Sequence, residues 1–227
     1  MTSVGPPDGV RTIPEAMENA TRLTIIRHGQ AHTNVNGKIQ SASCEGLTQL
    51  GRRQGESLAR RLARTQELAE VTAFYSSQLL RAVETAAIIA PHVGKGFEEI
   101  PALASLNELS PGEAEGLTWE EYERRYPGVD HSKEPASLFA PGAESWVGFL
   151  ERVRLGLHDL LARHAGQSIA LVAHGGVLEG ALVELSGVPA DRHRQSPMNA
   201  SLSTWVEGPR HYALERFGDA AHLQDGR

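Results

Sequence analysis

One cysteine in 227 residues is too few for an internal disulfide or an all-thiolate metal cage, and it fits a reducing compartment. That residue, Cys44, has no neighbour that would activate a thiolate. Aromatic residues make up only 5% of the chain, and no apolar run approaches the roughly 20 residues that a spanning helix needs. The first twenty residues lack the apolar stretch of a secretory leader. Basic residues are outnumbered, 22 against 28 acidic ones for a formal charge of −6, which argues against a general attraction to nucleic acid or anionic lipid. The expectation is a cytoplasmic protein without a nucleic-acid or membrane partner. What is present, 40% hydrophobic and 22% charged residues, is enough to build one sizeable core.

Residues 1–20 carry Gly, Pro and charge without apolar periodicity, so they are expected to form a flexible extension. Leu23–Ile26 is a short β-branched run that breaks into Arg27-His28-Gly29, as a buried strand opening into a loop does. From Thr48, an available N-cap, Leu50, Leu58 and Leu62 recur among arginines at helical spacing. Arg52, Arg53, Arg60, Arg61 and Arg64 read as its solvated face. Val71–Tyr75 predicts a second strand, Leu79–Ala90 a helix stopped by Pro91, and Phe97–Ala102 a third strand. The Pro-, Gly- and acid-rich stretch from Asn107 to Gly142, with a helix near Thr118–Arg125, is expected to cover the site. A helix over Ala143–Ala165, an apolar strand Ser168–Ala173, a helix Val177–Leu185 and terminal strands Leu202–Val206 and Tyr212–Arg216 complete the reading.

Two strands end alike, LTII in Arg27-His28-Gly29 and IALVA in His174-Gly175-Gly176. In open α/β sheets the ligand crevice lies beyond the carboxyl ends of the strands, so both histidines and Arg27 are placed at one pocket. The glycines are expected to let backbone approach a ligand, and the helix after Gly176 to offer free N–H groups and a positive dipole end to an anion. A histidine by itself is most often a solvated or satisfied residue; two at strand ends, each followed by Gly, are harder to dismiss.

Arg27-His28-Gly29-Gln30, with Asn34 beyond, resembles the signature of the histidine phosphatase superfamily, which includes the cofactor-dependent phosphoglycerate mutases. The likeness continues in chain order through Gly46-Leu47-Thr48 with Gly51 and Gln54, Ser76-Ser77 with Arg81-Ala82 and Thr85-Ala86, Leu106-Asn107-Glu108 with Glu115-Gly116, Pro141-Gly142 with Glu144-Ser145, and Leu171 to Gly176. It implies an α/β, Rossmann-like three-layer sandwich, with a mostly parallel central sheet flanked by helices and a small cap insertion. The expected organisation is one domain over 21–218, its cap at about 109–142, and a C-terminal tail at 219–227.

The resemblance also implies roles. His28 is the nucleophile, Arg27 and Arg81 clamp phosphoryl oxygens with planar forks, and His174 is the second imidazole, protonated when phosphate is bound. Asn34 and Gly175 add phosphate contacts. Glu108 is the proton donor, although on residue type alone it is one carboxylate in an acidic loop with Glu113 and Glu115 as rivals. No metal and no cofactor are implied; His28 and His32 are four apart but lack the Glu of an H-E-x-x-H helix.

The substrate expected is a small phosphorylated metabolite. Leu109, Ser110 and Pro111 follow Glu108, and Leu117, Thr118 and Trp119 follow Gly116, where mutases of this family carry cations for a second acidic group. Hydrolysis through a phosphohistidine is therefore the leading reading, with Leu106, Leu109, Trp119 and Phe139 expected around the leaving group. Mutase-type transfer and a catalytically silent phospholigand-binding relative stand as alternatives. Ala31 replaces a usual Ser or Thr, and Ala114 a usual Trp, the latter change expected to widen the mouth of the site. Relatives are commonly homodimers; no sequence feature here decides the oligomeric state.

Overall fold

The computed structural model describes residues 20–128, 133–189 and 196–224, so the N-terminal extension lies, but for residue 20, outside the described residues. Strands β1 (Arg22–Arg27), β2 (Val71–Ser77), β3 (Ala102–Leu103), β4 (Ser168–Ala173), β5 (Leu202–Glu207) and β6 (Tyr212–Asp219) form one sheet in the order β3-β2-β4-β1-β5-β6. β1, β2, β3 and β4 are parallel, whereas β5 runs antiparallel to β1 and β6 to β5. The terminal pair is thus an antiparallel extension of a parallel sheet.

Helices α1 (Gln49–Thr65), α2 (Leu80–Ile89), α3 (Trp119–Arg125), α4 (Trp146–Arg163) and α5 (Gly175–Ser186) complete the architecture. Alternation along the strands supplies two cores. Leu23 and Ile25 of β1 with Ile169 and Leu171 of β4 meet α4 and α5 through Phe149, Leu157 and Leu178. Ile26, Ala170 and Val172 face the other way, to Leu58 and Leu62 of α1 and Ala86 and Ile89 of α2. Covering both faces is what a near-continuous apolar strand such as SIALVA requires.

Thr48 caps α1, its hydroxyl accepting the Gly51 N–H at 3.0 Å. Leu50, read from spacing as part of the buried stripe, is 41% exposed, because the stripe starts one turn later. The third strand is only Ala102–Leu103; Pro101 supplies a carbonyl to the Ser76 N–H but has no N–H of its own for the ladder. Strand β6 runs to Asp219, and beyond it a 3-10 turn at Ala221–Leu223 buries His222 and packs on α1, with Ser57 Oγ donating to the His222 carbonyl at 2.7 Å. The folded chain therefore continues past 218. Between 109 and 142 a separate small core forms from Ile39, Ala114, Tyr122 and Ala140, with Phe139 stacked on Tyr122 at 4.4 Å. Among the described residues no helix is long and apolar enough to cross a membrane.

Candidate active site

β1 and β4 are neighbours in register, Arg27 beside Ala173, so the residues that follow them, His28 and His174, leave the sheet together. Their ring centroids are 5.2 Å apart, and both are buried, 3% and 0% exposed. His28 Nδ1 lies 2.7 Å from the Gly29 carbonyl oxygen. A carbonyl only accepts, so Nδ1 carries the hydrogen and, in the neutral ring, Nε2 keeps a lone pair. Burial, then the Arg81 guanidinium, and more weakly Arg27, push His28 well below the ordinary histidine pKa against the opposing Gly29 bond. His174 is likewise held well below it by burial, Arg81, His28 and Arg27. Both rings are neutral at pH 7 without an anion present.

The other predicted residues come from separate elements. Arg81, 2% exposed in the first turn of α2, donates from one terminal nitrogen to the Ser41 carbonyl at 3.0 Å. Arg27 donates to the Pro197 carbonyl. Arg27 Nε, Arg81 Nε and His174 Nδ1 are buried without a hydrogen-bond partner, whereas buried polar groups are ordinarily paired. Glu108 is half-buried beyond the end of β3, accepting the Gly176 N–H at 3.1 Å and the Leu109 N–H at 3.1 Å. Asn34 stands exposed in a 3-10 turn, its side-chain oxygen accepting the Ala31 N–H at 2.9 Å; that oxygen is spent on shaping the loop.

The glycines also answer to packing. Gly29 and Gly51 lack side chains because α1 crosses the loop there: a Cβ on Gly29 would stand 2.5 Å from the Gly51 carbonyl oxygen. Helix α5 begins at Gly175, not after Gly176, with His174 as an extended N-cap, and the Gly176 N–H is taken by Glu108. Gly175 borders Arg27, a Cβ there lying 3.9 Å from Nε and overlapping Ser196.

The structure also separates the rival carboxylates. Glu115 accepts the Ser41 and Ser43 N–H groups at 2.8 and 3.0 Å and so ties down the 41–43 turn. Glu113 is exposed beside Arg125. Leu106 is fully buried in the main core and Ala114 in the small one, so neither shapes the mouth of the site. A cavity of about 310 Å³ beside Glu108 is walled by Ile39, Leu109, Trp119, Phe139 and Trp146, with Lys38 as its cation.

Sequence reasoning assigned no role to Ser77 or Asn199. Ser77 Oγ lies 2.6 Å from His174 Nε2 and accepts the Leu79 N–H at 3.3 Å, which leaves it one hydrogen and one lone pair for the imidazole. Asn199 donates to the His28 carbonyl at 3.0 Å. Beside it Ala200, fully buried, takes a left-handed φ of +59° and donates its N–H to the Arg27 and His28 carbonyls. A non-glycine residue costs roughly 1–2 kcal/mol in that conformation, and nothing in the sequence marks Ala200 for it.

The model of the histidine phosphatase superfamily (branch 1) matches residues 23–220. The chain belongs to the histidine phosphatase superfamily. Among its relatives within the superfamily, it is 31% identical to phosphoglycerate mutase-like protein 4 of Arabidopsis thaliana over 89% of this chain and 87% of that protein. It is 26% identical to the metal-independent phosphoserine phosphatase of the same plant, over 89% and 83%. Among solved structures of histidine phosphatase fold, Bacillus stearothermophilus YhfR superposes with a TM-score of 0.76 at 28% identity, covering 90% of this chain and all (100%) of that one.

Proposed function

We propose that this enzyme, a phosphomonoesterase of the histidine phosphatase superfamily, hydrolyses a small-molecule phosphate monoester through a phosphohistidine on His28, without a metal. The observation that carries the reading is the bond between His28 Nδ1 and the Gly29 carbonyl at 2.7 Å, in a buried ring kept neutral beside two arginines. A relative named as a metal-independent phosphoserine phosphatase supports it.

His28 Nε2 attacks phosphorus in line, forming the P–N bond as the ester P–O bond breaks. Arg27 and Arg81 neutralise the phosphoryl oxygens, electrostatic help of the kind that usually supplies the largest share of catalysis. Neutral His174, paired with the Ser77 hydroxyl at Nε2 and carrying its hydrogen on Nδ1, presents that N–H to the same group, and the phosphate charge draws a second proton onto that ring. Protonated Glu108 gives its proton to the leaving oxygen. As carboxylate it then takes a proton from water, whose oxygen attacks phosphorus, and the P–N bond breaks to release inorganic phosphate.

The leaving group occupies the cavity beside Glu108, where Trp119, Phe139, Trp146 and Leu109 suit an apolar face and Lys38 a single acidic substituent. With Arg125 paired to Glu113, this lining favours water over a second acid-bearing acceptor. The test is phosphate release from a panel of aryl, sugar, glycerate and amino-acid phosphates in EDTA, beside His28→Ala. Turnover that survives chelation and disappears in the variant is expected. Phosphoglycerate interconversion without phosphate release would overturn hydrolysis in favour of mutase chemistry, and binding without either reaction would favour a silent phospholigand receptor.

A further inference from the structure

The loop that carries Glu108 is held by one arginine of α4. Arg152 donates through one terminal nitrogen to the Ser105 carbonyl at 3.0 Å and the Asn107 carbonyl at 3.1 Å, with the Ala104 carbonyl at 3.4 Å. Its other edge makes a two-point contact with Glu144, Nε to Oε1 at 2.6 Å and the second terminal nitrogen to Oε2 at 2.7 Å. Glu144 Oε2 in turn accepts the Ser110 N–H at 3.0 Å. One guanidinium therefore grips the chain just before Glu108 directly and just after it through a carboxylate.

The grip falls where apolar packing ends. Upstream, Leu106 is fully buried and Ser105 sits over Gly156, where a Cβ would stand 2.8 Å from its hydroxyl. Downstream, Ser110 is exposed. Asn107 is also tied toward α2, its side-chain oxygen accepting the Gln78 N–H at 2.8 Å. Both partners of the clamp are about three-quarters buried, 26% and 24% exposed at the side chain. Arg152 outweighs the burial that would raise Glu144, holding it below the usual carboxylate range. A bidentate fork with three further carbonyl contacts is geometry that lysine cannot reproduce.

We infer that Arg152, acting through Glu144, is the positioning residue that sets Glu108 for proton transfer to the leaving group. The inference rests on the proposed role of Glu108 and makes a distinction that a merely structural arginine would not. A misplaced acid penalises esters whose leaving alkoxide must be protonated and spares those whose phenolate leaves unaided. The value of kcat/KM reports the step in which that bond breaks.

The experiment compares Arg152→Met, Glu144→Gln and Glu108→Gln on an alkyl phosphate, glycerol phosphate, and on dinitrophenyl phosphate. Glu108→Gln sets the full effect, about 10²–10⁴-fold on the alkyl ester for loss of general acid catalysis. Arg152→Met and Glu144→Gln are expected to lose about tenfold or more of kcat/KM on the alkyl ester and to stay within about twofold of wild type on the aryl ester, with Arg152→Lys rescuing little. Equal losses on both esters, or none on either, overturn the inference while Glu108→Gln still discriminates between them. If Glu108→Gln itself does not discriminate, the acid assignment fails first and the inference with it. Should Arg152→Met not fold, Glu144→Gln carries the same comparison.

Discussion

Gly176 has no side chain where Glu108 and Phe149 converge: a Cβ there would overlap the Glu108 carboxylate and lie 2.8 Å from the Phe149 ring. The same residue's N–H donates to that carboxylate at 3.1 Å. A glycine pair in the first turn of a helix is poor for helix stability, and this contact accounts for the second of them.

Gly176→Ala is therefore expected to displace both neighbours. Overpacking a core ring costs about 1–3 kcal/mol, read as a lowered melting temperature. Activity on an alkyl phosphate should fall by about tenfold or more, as an acid moved from its place loses part of its catalytic factor. A variant as active and as stable as wild type would show that the loop yields without cost.

Ser77→Ala removes the hydrogen bond at His174 Nε2 and leaves that nitrogen buried. Loss of one buried partner costs about 1–3 kcal/mol of stability, read as a lowered melting temperature with folding retained, and kcat is expected to drop by about tenfold for each 1.4 kcal/mol of that interaction lost at the transition state. Imidazole nitrogen shifts in NMR should register the altered His174 tautomer; unchanged shifts and unchanged kcat would remove Ser77 from the site's machinery.

Because His28 and His174 are held well below the ordinary histidine range by burial and by Arg81, they stay neutral in the folded protein while the unfolded chain takes up protons at about pH 6.5. Stability is expected to be flat above about 6.5 and to fall progressively as pH drops below it, until the buried rings themselves charge. Inorganic phosphate should oppose this loss by favouring the charged His174. Melting curves across pH, with and without phosphate, check both; a slope of the opposite sign below 6.5 in the His28→Ala comparison would contradict the assignment.

Asp219 is held down to about 2, chiefly by the Arg61 hydrogen bond, from an ordinary 3.8. Arg61 also pairs with Glu67, which is bound in turn by Arg216, so the pair ties α1 to the end of β6. Asp219→Asn is expected to lower the melting temperature at neutral pH. The sign is that of a depressed acid: the wild-type advantage is whole above about 3.8 and disappears as pH falls through about 2. An advantage that persisted at the acid end would show that shape, not charge, holds the joint.

The chain's own order made five of the six strands, the helices and the Arg27-His28 and His174 strand ends legible, because apolar runs that stop abruptly in polar residues leave few alternatives to a buried strand opening into a loop; the third strand, read as Phe97–Ala102, shares only Ala102 with the one that forms. Glu108 was legible only through the family pattern, since Glu113 and Glu115 are chemically equal to it until packing assigns Glu115 to the 41–43 turn and Glu113 to Arg125. Tertiary structure alone decided that β4 inserts between β2 and β1, the step that puts His174 beside His28 and Ser77 beside His174. It alone supplied the clamp from Arg152 and the left-handed Ala200. The physical reason is one of range. Periodicity and punctuation act over a few residues, whereas strand order, close backbone crossings and the partners of buried polar groups are settled by contacts between segments far apart in sequence.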